Sequence, residues 1–375
     1  MNPRHTGLLA VVCALVALSA TACVNTNATI PTAAPTTISV SAGLEGLDGD
    51  VERVVSDWYG PSQIGGAVAV VGTPDGAVHS AAIGEAAPGE PATTSDVMRV
   101  GSITKTYTAA LVLSITEQGL LTLDDSVAGY LPDLDLPEPI TVRDLLAHTS
   151  GITDPDPAAL IEAFAADPAH RYTPAELIAL ARLPDESGPA EFRYASANYH
   201  LVGVLVEALT GRTYADLLRT EILEPAGLTH TYVAGSDRPS EPIVPGNVDL
   251  DGDGREDSLA AISYDAVDTY SWSAGAIATT PADLLTFARA LFDHTLLPPS
   301  GVRELTDTGG DGYGLGVVDV DPGWGHNGGA PGYQAVFAYD PDRDTAAALF
   351  TNCPTCATGT ADTWAVVAEL IDLPT

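Results

Sequence analysis

Apolar residues recur at two spacings along this chain, and the spacings divide it. In residues 44–59 the positions Leu47, Val51, Val54, Val55 and Trp58 fall at helical intervals. Residues 65–72 (GGAVAVVG) and 77–84 read as two strands joined by the turn Thr73-Pro74-Asp75-Gly76. Residues 106–118 return to helical spacing through Leu111, Leu113 and Ile115, and Gly119 suits the stop. From Asp124 to about Asp268 the pattern is mainly helical, over 141–148, 157–166, 174–183, 197–209 and 214–223. Thr173 before Pro174 has the order of an N-cap and a first helical residue, and Thr280 likewise precedes a helix over 281–292. Residues 312–320, 332–339 and 345–351 alternate or run apolar as strands do. A last helix over 362–371 places Trp364, Val367 and Leu370 on one face.

The order helix, strands, helices, strands, helix is satisfied most simply by one sheet. The first and last parts build it together, flanked by helices, and the middle is inserted as a separate lobe. Residues 44–105 and 270–375 then form an α/β lobe and residues 106–269 a helical lobe.

The first 43 residues follow neither spacing. Arg4 precedes an apolar run over 7–18, too short for a membrane span of ~20 residues. Ala20 and Ala22 before Cys23 suit signal-peptide cleavage, so residues 1–22 are expected to be removed. The stretch also resembles a bacterial lipoprotein signal, which implies a lipid on Cys23; the alternative is an ordinary secreted protein. Residues 23–43, rich in Thr, Ala and Pro, read as a tether to a domain over 44–375. An exported protein meets an oxidising compartment, where Cys353-Pro354-Thr355-Cys356 favours a local disulfide.

Composition then removes some functions. With 50 acidic residues against 15 Lys and Arg, the net charge is -35. That excludes nucleic-acid binding, which needs clustered cations, and favours solubility. The stretch from Asp249 to Asp257, with Asp249, Asp251, Asp253 and Asp257 at alternate or near-alternate positions, resembles a calcium loop. Its twelfth position is Ala260 rather than a bidentate Glu, so an acidic surface turn is the preferred reading.

Only one of the 15 cationic residues is a lysine, Lys105. Ser102 lies three residues before it, on the same face of the expected helix and near its N-terminus. A serine beside an amine that can lose its proton has the makings of an activated nucleophile. The spacing alone is weak evidence, expected by chance for roughly one lysine in fifteen.

Five stretches in order add to it. They are Met98 to Lys105 (MRVGSITK), residues 145–152 (LLAHTSGI), 192–203 (FRYASANYHLVG), 271–283 (SWSAGAIATTPAD) and 325–333 (GHNGGAPGY). Together they resemble the penicillin-recognising serine hydrolases, in the branch of D-alanyl-D-alanine carboxypeptidase, class C β-lactamase and related esterases. The resemblance implies an α/β (α+β) fold, with an antiparallel sheet flanked by helices and an inserted all-helical lobe. It places the nucleophile at Ser102, its lysine at Lys105 and the tyrosine of the second motif at Tyr194. Ser196 stands where the family usually has the Asn that helps orient the substrate amide. His326-Asn327-Gly328 matches the third motif, and the backbone N–H groups of Gly329 and Ser102 are the implied oxyanion donors. Lys105 as a neutral amine and Tyr194 as a phenolate are both open as the base.

His148 reads as a structural anchor, Asn198 as a helix-surface or capping residue, and Arg99 and Trp272 as either site borders or core. The implied reaction needs no cofactor and takes a small peptide, ester or β-lactam substrate. A D-alanyl-D-alanine carboxypeptidase is the leading expectation, with esterase, β-lactamase or a slowly deacylating sensor as alternatives. Against the peptidase, 312–320 offers no Arg or Lys for a terminal carboxylate. The protein is expected to act as a monomer, with no membrane contact beyond a lipid on Cys23.

Overall fold

Strand β1 (Gly66–Gly72) shows why the two ends of the chain meet. All seven of its residues are buried, so it needs a partner strand on each edge and a cover on each face. Its edges pair antiparallel with β2 (Val78–Ala87) and with β12 (Thr345–Thr351), nearly 280 positions away; Val68 lies between Ala82 and Phe350. The computed structural model describes residues 46–59, 65–134, 136, 140–184, 191–249, 256–354 and 363–374. The expected signal, tether and lipid site at Cys23 lie outside the described residues. So do Cys356 and residues 250–255 of the acidic loop, including Asp251 and Asp253. Cys353 is disulfide-bonded.

The sheet has seven strands in the order β3-β2-β1-β12-β11-β10-β9. The others are β3 (Glu90–Pro91), β9 (Val318–Asp319), β10 (Trp324–Ala330) and β11 (Tyr333–Asp340). Side chains alternate between two cores, as strand geometry requires. Ala67, Ala69 and Val71 face helices α1 (Leu47–Trp58) and α11 (Thr363–Ile371), against Val51, Val55, Trp58 and Val367. Val68, Val70, Phe337 and Phe350 face the larger core, with Phe287 of α9 (Pro281–Phe292). Each such aliphatic or aromatic side chain contributes about 1.5–3 kcal/mol on burial.

Helix α2 (Thr104–Glu117) runs through that larger core. Residues 104–113 are all buried, along with Ile115. A helix covered on every side belongs at the centre of the molecule. Gly119, with φ of 72°, ends the segment as expected. Around α2 lie α6 (Ser196–Thr210), α7 (Tyr214–Leu218), α8 (Asp265–Gly275) and α10 (Pro299–Leu305), while α3 (Val142–Leu146) packs on α6. Helices α4 (Pro157–Ala166) and α5 (Pro174–Leu180) complete the inserted lobe; Thr173 is the N-cap of α5 as expected and also closes a capping box with Glu176.

Two expectations change here. The inserted lobe is not all helical: it carries β5 (Thr231–Val233), β6 (Asn247–Val248) and β7 (Asp257–Ser258). Strand β5 joins β4 (Met98–Arg99) and β8 (Ile277–Thr279) in a three-stranded sheet, so the two lobes share structure. Strands of two or three residues leave almost no periodicity to read. Residues 312–320, expected as a strand, are a loop that pairs with β10 only through β9. Gly316 takes φ of 74°, and a Cβ there would lie 2.7 Å from the Lys105 carbonyl oxygen. The loop thus tucks against α2, and Thr106 donates to its Gly316 carbonyl at 2.6 Å.

Arg99 of β4 is locked inside this junction. Its guanidinium donates to both carboxylate oxygens of Asp268 at 2.7 Å and to Tyr333 at 3.1 Å, with the Arg and Asp side chains only 9% and 10% exposed. Removing one member of such a pair leaves a buried charge. Asp268→Asn is therefore expected to lower stability by about 3–5 kcal/mol in denaturant titrations. The double change Arg99→Met with Asp268→Leu is expected to recover part of that loss.

Candidate active site

Ser102 sits in a single 3-10 turn, Gly101–Ile103, that leads into α2. Gly101 is required there twice over. Its φ is 51°, and a Cβ on it would lie 2.3 Å from the Gly329 carbonyl oxygen and 2.7 Å from Gly329 N. From the other side, a Cβ on Gly328 would meet the Val100 carbonyl oxygen at 2.0 Å and Ser102 N at 2.6 Å. Backbone therefore rests directly on backbone where β10 crosses the serine turn. Strand β9 pairs β10 only at Trp324 and Gly325, so residues 326–330 present an edge toward this turn that no described strand covers.

Lys105, one turn on, is fully buried. Its Nζ donates to Ser102 Oγ at 3.1 Å, Ser196 Oγ at 3.3 Å and the Ala274 carbonyl oxygen at 2.9 Å. Three acceptors match the three protons of an ammonium. Burial nevertheless pulls its pKa down to about 7, against a smaller opposing pull from the Asp154 carboxylate. Near neutrality the amine is thus half deprotonated. Ala274 can only accept, so the lone pair of the neutral amine must face one of the two serine hydroxyls.

The third acceptor depends on a kink. Within α8, Trp272 has φ of 32° and ψ of -120°, outside helical geometry. After it, the Ser273 carbonyl accepts from Thr108 at 2.7 Å and the Ala274 carbonyl from Lys105. The Trp272 ring packs over Gly203 of α6, where a Cβ would come within 2.7 Å of it. Trp272 and Arg99 are thus both core residues; the strain at the first turns carbonyls toward α2.

Tyr194 is half-buried, and Lys105 Nζ lies 4.8 Å from its ring centroid. Its ring is boxed by His148 at 4.4 Å, Tyr313 at 6.0 Å and His326 at 6.4 Å between centroids. Behind it, His148 Nδ1 accepts from Ala195 N and Asn198 Nδ2, both at 3.2 Å. His148 is buried, its pKa held well below 6.5 by burial first and by Lys105 and His326 second. It anchors the second motif, as expected. Asn198 is not on the surface: it is wholly buried and also takes the Ser150 hydroxyl at 2.5 Å, tying the His148 loop to α6.

His326 is 2% exposed. Its Nδ1 faces the Asn327 carbonyl oxygen at 2.5 Å, which can only accept, so Nδ1 carries the proton. Nε2 then accepts from the Tyr313 hydroxyl at 3.1 Å. Burial lowers its pKa to about 3, so it is neutral at working pH. The structure thus gathers Ser102, Lys105, Tyr194, Ser196, His326, Gly328 and Gly329 around one seam. Of the four candidate aspartates in the acidic loop, only Asp249 and Asp257 are described, and no group of three possible metal ligands occurs among the described residues.

Three site residues escaped the sequence reading. Asp154 accepts from Ser196 N at 3.1 Å and Ala197 N at 2.8 Å, capping α6 from another loop. In Asp154-Pro155-Asp156 nothing local separates it from its neighbour. Tyr313 lies in the stretch misread as a strand, and Ala274 contributes only a carbonyl, which no side-chain pattern reveals.

Known proteins match this arrangement. The profile of the β-lactamase family matches residues 51–370. Penicillin-binding protein 4 of Amycolatopsis lactamdurans is 29% identical over 317 residues, covering 74% of this chain and 78% of that protein. D-aminopeptidase of Brucella anthropi is 33% identical over 189 residues, which are 48% of this chain and 34% of that protein. A solved D-stereospecific amidohydrolase from Streptomyces sp. aligns with a TM-score of 0.71 at 29% identity, covering 88% of this chain and 98% of its own. With its serine, lysine and tyrosine gathered at the seam of this fold, the chain belongs to the β-lactamase family of penicillin-recognising serine hydrolases.

Proposed function

We propose that the protein is an exported serine hydrolase that cleaves the amide bond following a D-amino-acid residue, through an acyl-enzyme on Ser102. A D-alanyl-D-alanine carboxypeptidase is the peptide case of that reaction. The observation that carries the reading is the buried amine of Lys105, near its pKa at neutrality and 3.1 Å from Ser102 Oγ. Preference for a D-residue acyl group is supported by the likeness to the D-stereospecific amidohydrolase and D-aminopeptidase. Acylation by a penicillin is supported by the likeness to penicillin-binding protein 4. The lack of Lys or Arg over 312–320, and the engagement of Arg99 by Asp268, favour an amide without a terminal carboxylate.

The chemistry follows from the contacts. Neutral Lys105 takes the Ser102 hydroxyl proton as Oγ attacks the carbonyl. The N–H groups of Ser102 and Gly329 hold the oxyanion, each contributing about 2.7–4 kcal/mol to the transition state. The leaving nitrogen departs with a proton supplied from the Lys105 side, through a hydroxyl held beside the amine. Water then attacks the ester, with the amine again as base.

Three outcomes test this. Labelled penicillin should acylate the protein at Ser102, and Ser102→Ala should abolish the adduct by mass spectrometry and cut turnover by at least about 10⁴-fold. An adduct that survives would remove Ser102 as nucleophile. Because the base form of Lys105 is the active one, kcat/KM should rise with pH and level off above an apparent pKa of about 7. A flat profile from about pH 5.5 to 8.5 would count against a lysine base. D-alaninamide should be hydrolysed and L-alaninamide should not; release of D-alanine from a D-alanyl-D-alanine peptide, with the amide inert, would make the carboxypeptidase the better name.

A further inference from the structure

Ser196 occupies the place of an asparagine, and the exchange alters what that position can do. Its Oγ accepts from Lys105 Nζ at 3.3 Å, and its own hydroxyl hydrogen has no acceptor among the described residues. The side chain is half-buried at the first residue of α6, which Asp154 fixes through the N–H groups of Ser196 and Ala197. A side-chain amide beside the lysine can donate or accept a hydrogen bond, but it does not readily pass a proton through. A hydroxyl accepts one proton and releases another from the same oxygen. Lys105 thus has two serine hydroxyls in reach, one at 3.1 Å that gives a proton and one at 3.3 Å that can forward it.

We propose that Ser196 is a catalytic residue that relays the proton from Lys105 to the leaving group, completing a Ser102–Lys105–Ser196 circuit. The Ser102 O–H bond breaks and its proton moves to the lone pair of Lys105 as Oγ bonds to the substrate carbonyl carbon. When the tetrahedral adduct collapses, the bond to the leaving nitrogen or oxygen breaks and its electron pair stays with that atom. The atom takes the Ser196 hydroxyl proton while Ser196 Oγ takes a proton from the Lys105 ammonium. Lys105 and Ser196 end neutral, and the proton has travelled from Ser102 to the product. Tyr194, half-buried over the same amine, is a slower return path, so turnover without the Ser196 hydroxyl falls to a residual level rather than to zero.

The inference rests on Ser102 and Lys105 acting as proposed above, and its test does not require an amide substrate. Esters of one D-alanyl acyl group, with leaving alcohols running from 4-nitrophenol to ethanol, vary only the need for a proton at the departing oxygen. Nitrophenolate leaves unaided, whereas ethoxide does not. Both esters need Ser102 to be deprotonated, so a purely positional role for Ser196 would slow both equally.

Relative to wild type, Ser196→Ala and Ser196→Asn should lose at least about 100-fold more kcat/KM on the ethyl ester than on the nitrophenyl ester, while Ser196→Thr should stay within about 5-fold on both. The comparison is a ratio within each protein, so partial loss of folded enzyme cancels. Should Ser196→Ala fail to fold, Ser196→Asn, which restores the residue usual in the family, carries the test. Equal losses on the two esters, or wild-type ethyl-ester turnover by Ser196→Asn, would overturn the relay. Ester turnover without any amide turnover would instead overturn the proposed amide function and leave the relay standing.

Discussion

The burial of one amine is the constraint on which this structure turns. Lys105 has no exposure, and a cation placed there needs every proton engaged. Three segments far apart in sequence meet that need: the serine turn at 102, the start of α6 at 196 and the kinked α8 at 274. Because all three converge on one nitrogen, their relative positions are fixed together. The same burial lowers the cost of losing a proton, which makes the group useful as a base. Stability and reactivity thus pull on one atom in opposite senses. Asp154, fixed at the end of α6, moderates the balance by favouring the charged form.

Glycines supply the second condition. Where β10 crosses the serine turn, Gly101 and Gly328 let two backbones touch with no side chain between them. That contact brings the Ser102 and Gly329 N–H groups to the same seam. Both lobes contribute to a ring of aromatic and imidazole groups, His148 from the inserted lobe and Tyr313 and His326 from the α/β lobe, that encloses Tyr194. Burial keeps both histidines neutral, so neither competes with Lys105 as a charge in the site.

Much of this was legible in the chain. The apolar runs at 66–72 and 346–350 read as strands, and their burial along the whole length fits a sheet covered on both faces. The helices at 157–166 and 281–292 matched their pattern residue for residue, since Pro and an N-cap mark their starts. The stretch 312–320 misled because glycines at alternate positions mimic strand periodicity while permitting turns. Asn198 misled because a polar residue one turn into a helix gives no sign that a buried loop will meet it. The short strands β4, β5 and β8 fell below the length at which any period can be seen.

The sequence by itself determined the family and which residues are candidates for the chemistry. A single lysine three residues after a serine, followed in order by Tyr194 and the His326 motif, singled out Ser102 and its neighbours, because residue identity and local spacing are encoded in the chain order. Only the tertiary structure decided what those groups do to one another. The depth of Lys105, the Ala274 carbonyl turned by strain at Trp272, the Asp154 cap on α6 and the closure of His326 by Tyr313 all depend on contacts between segments 13 to 169 residues apart. Proton affinities follow from burial and from the nearest charges, and neither exists until the chain has folded.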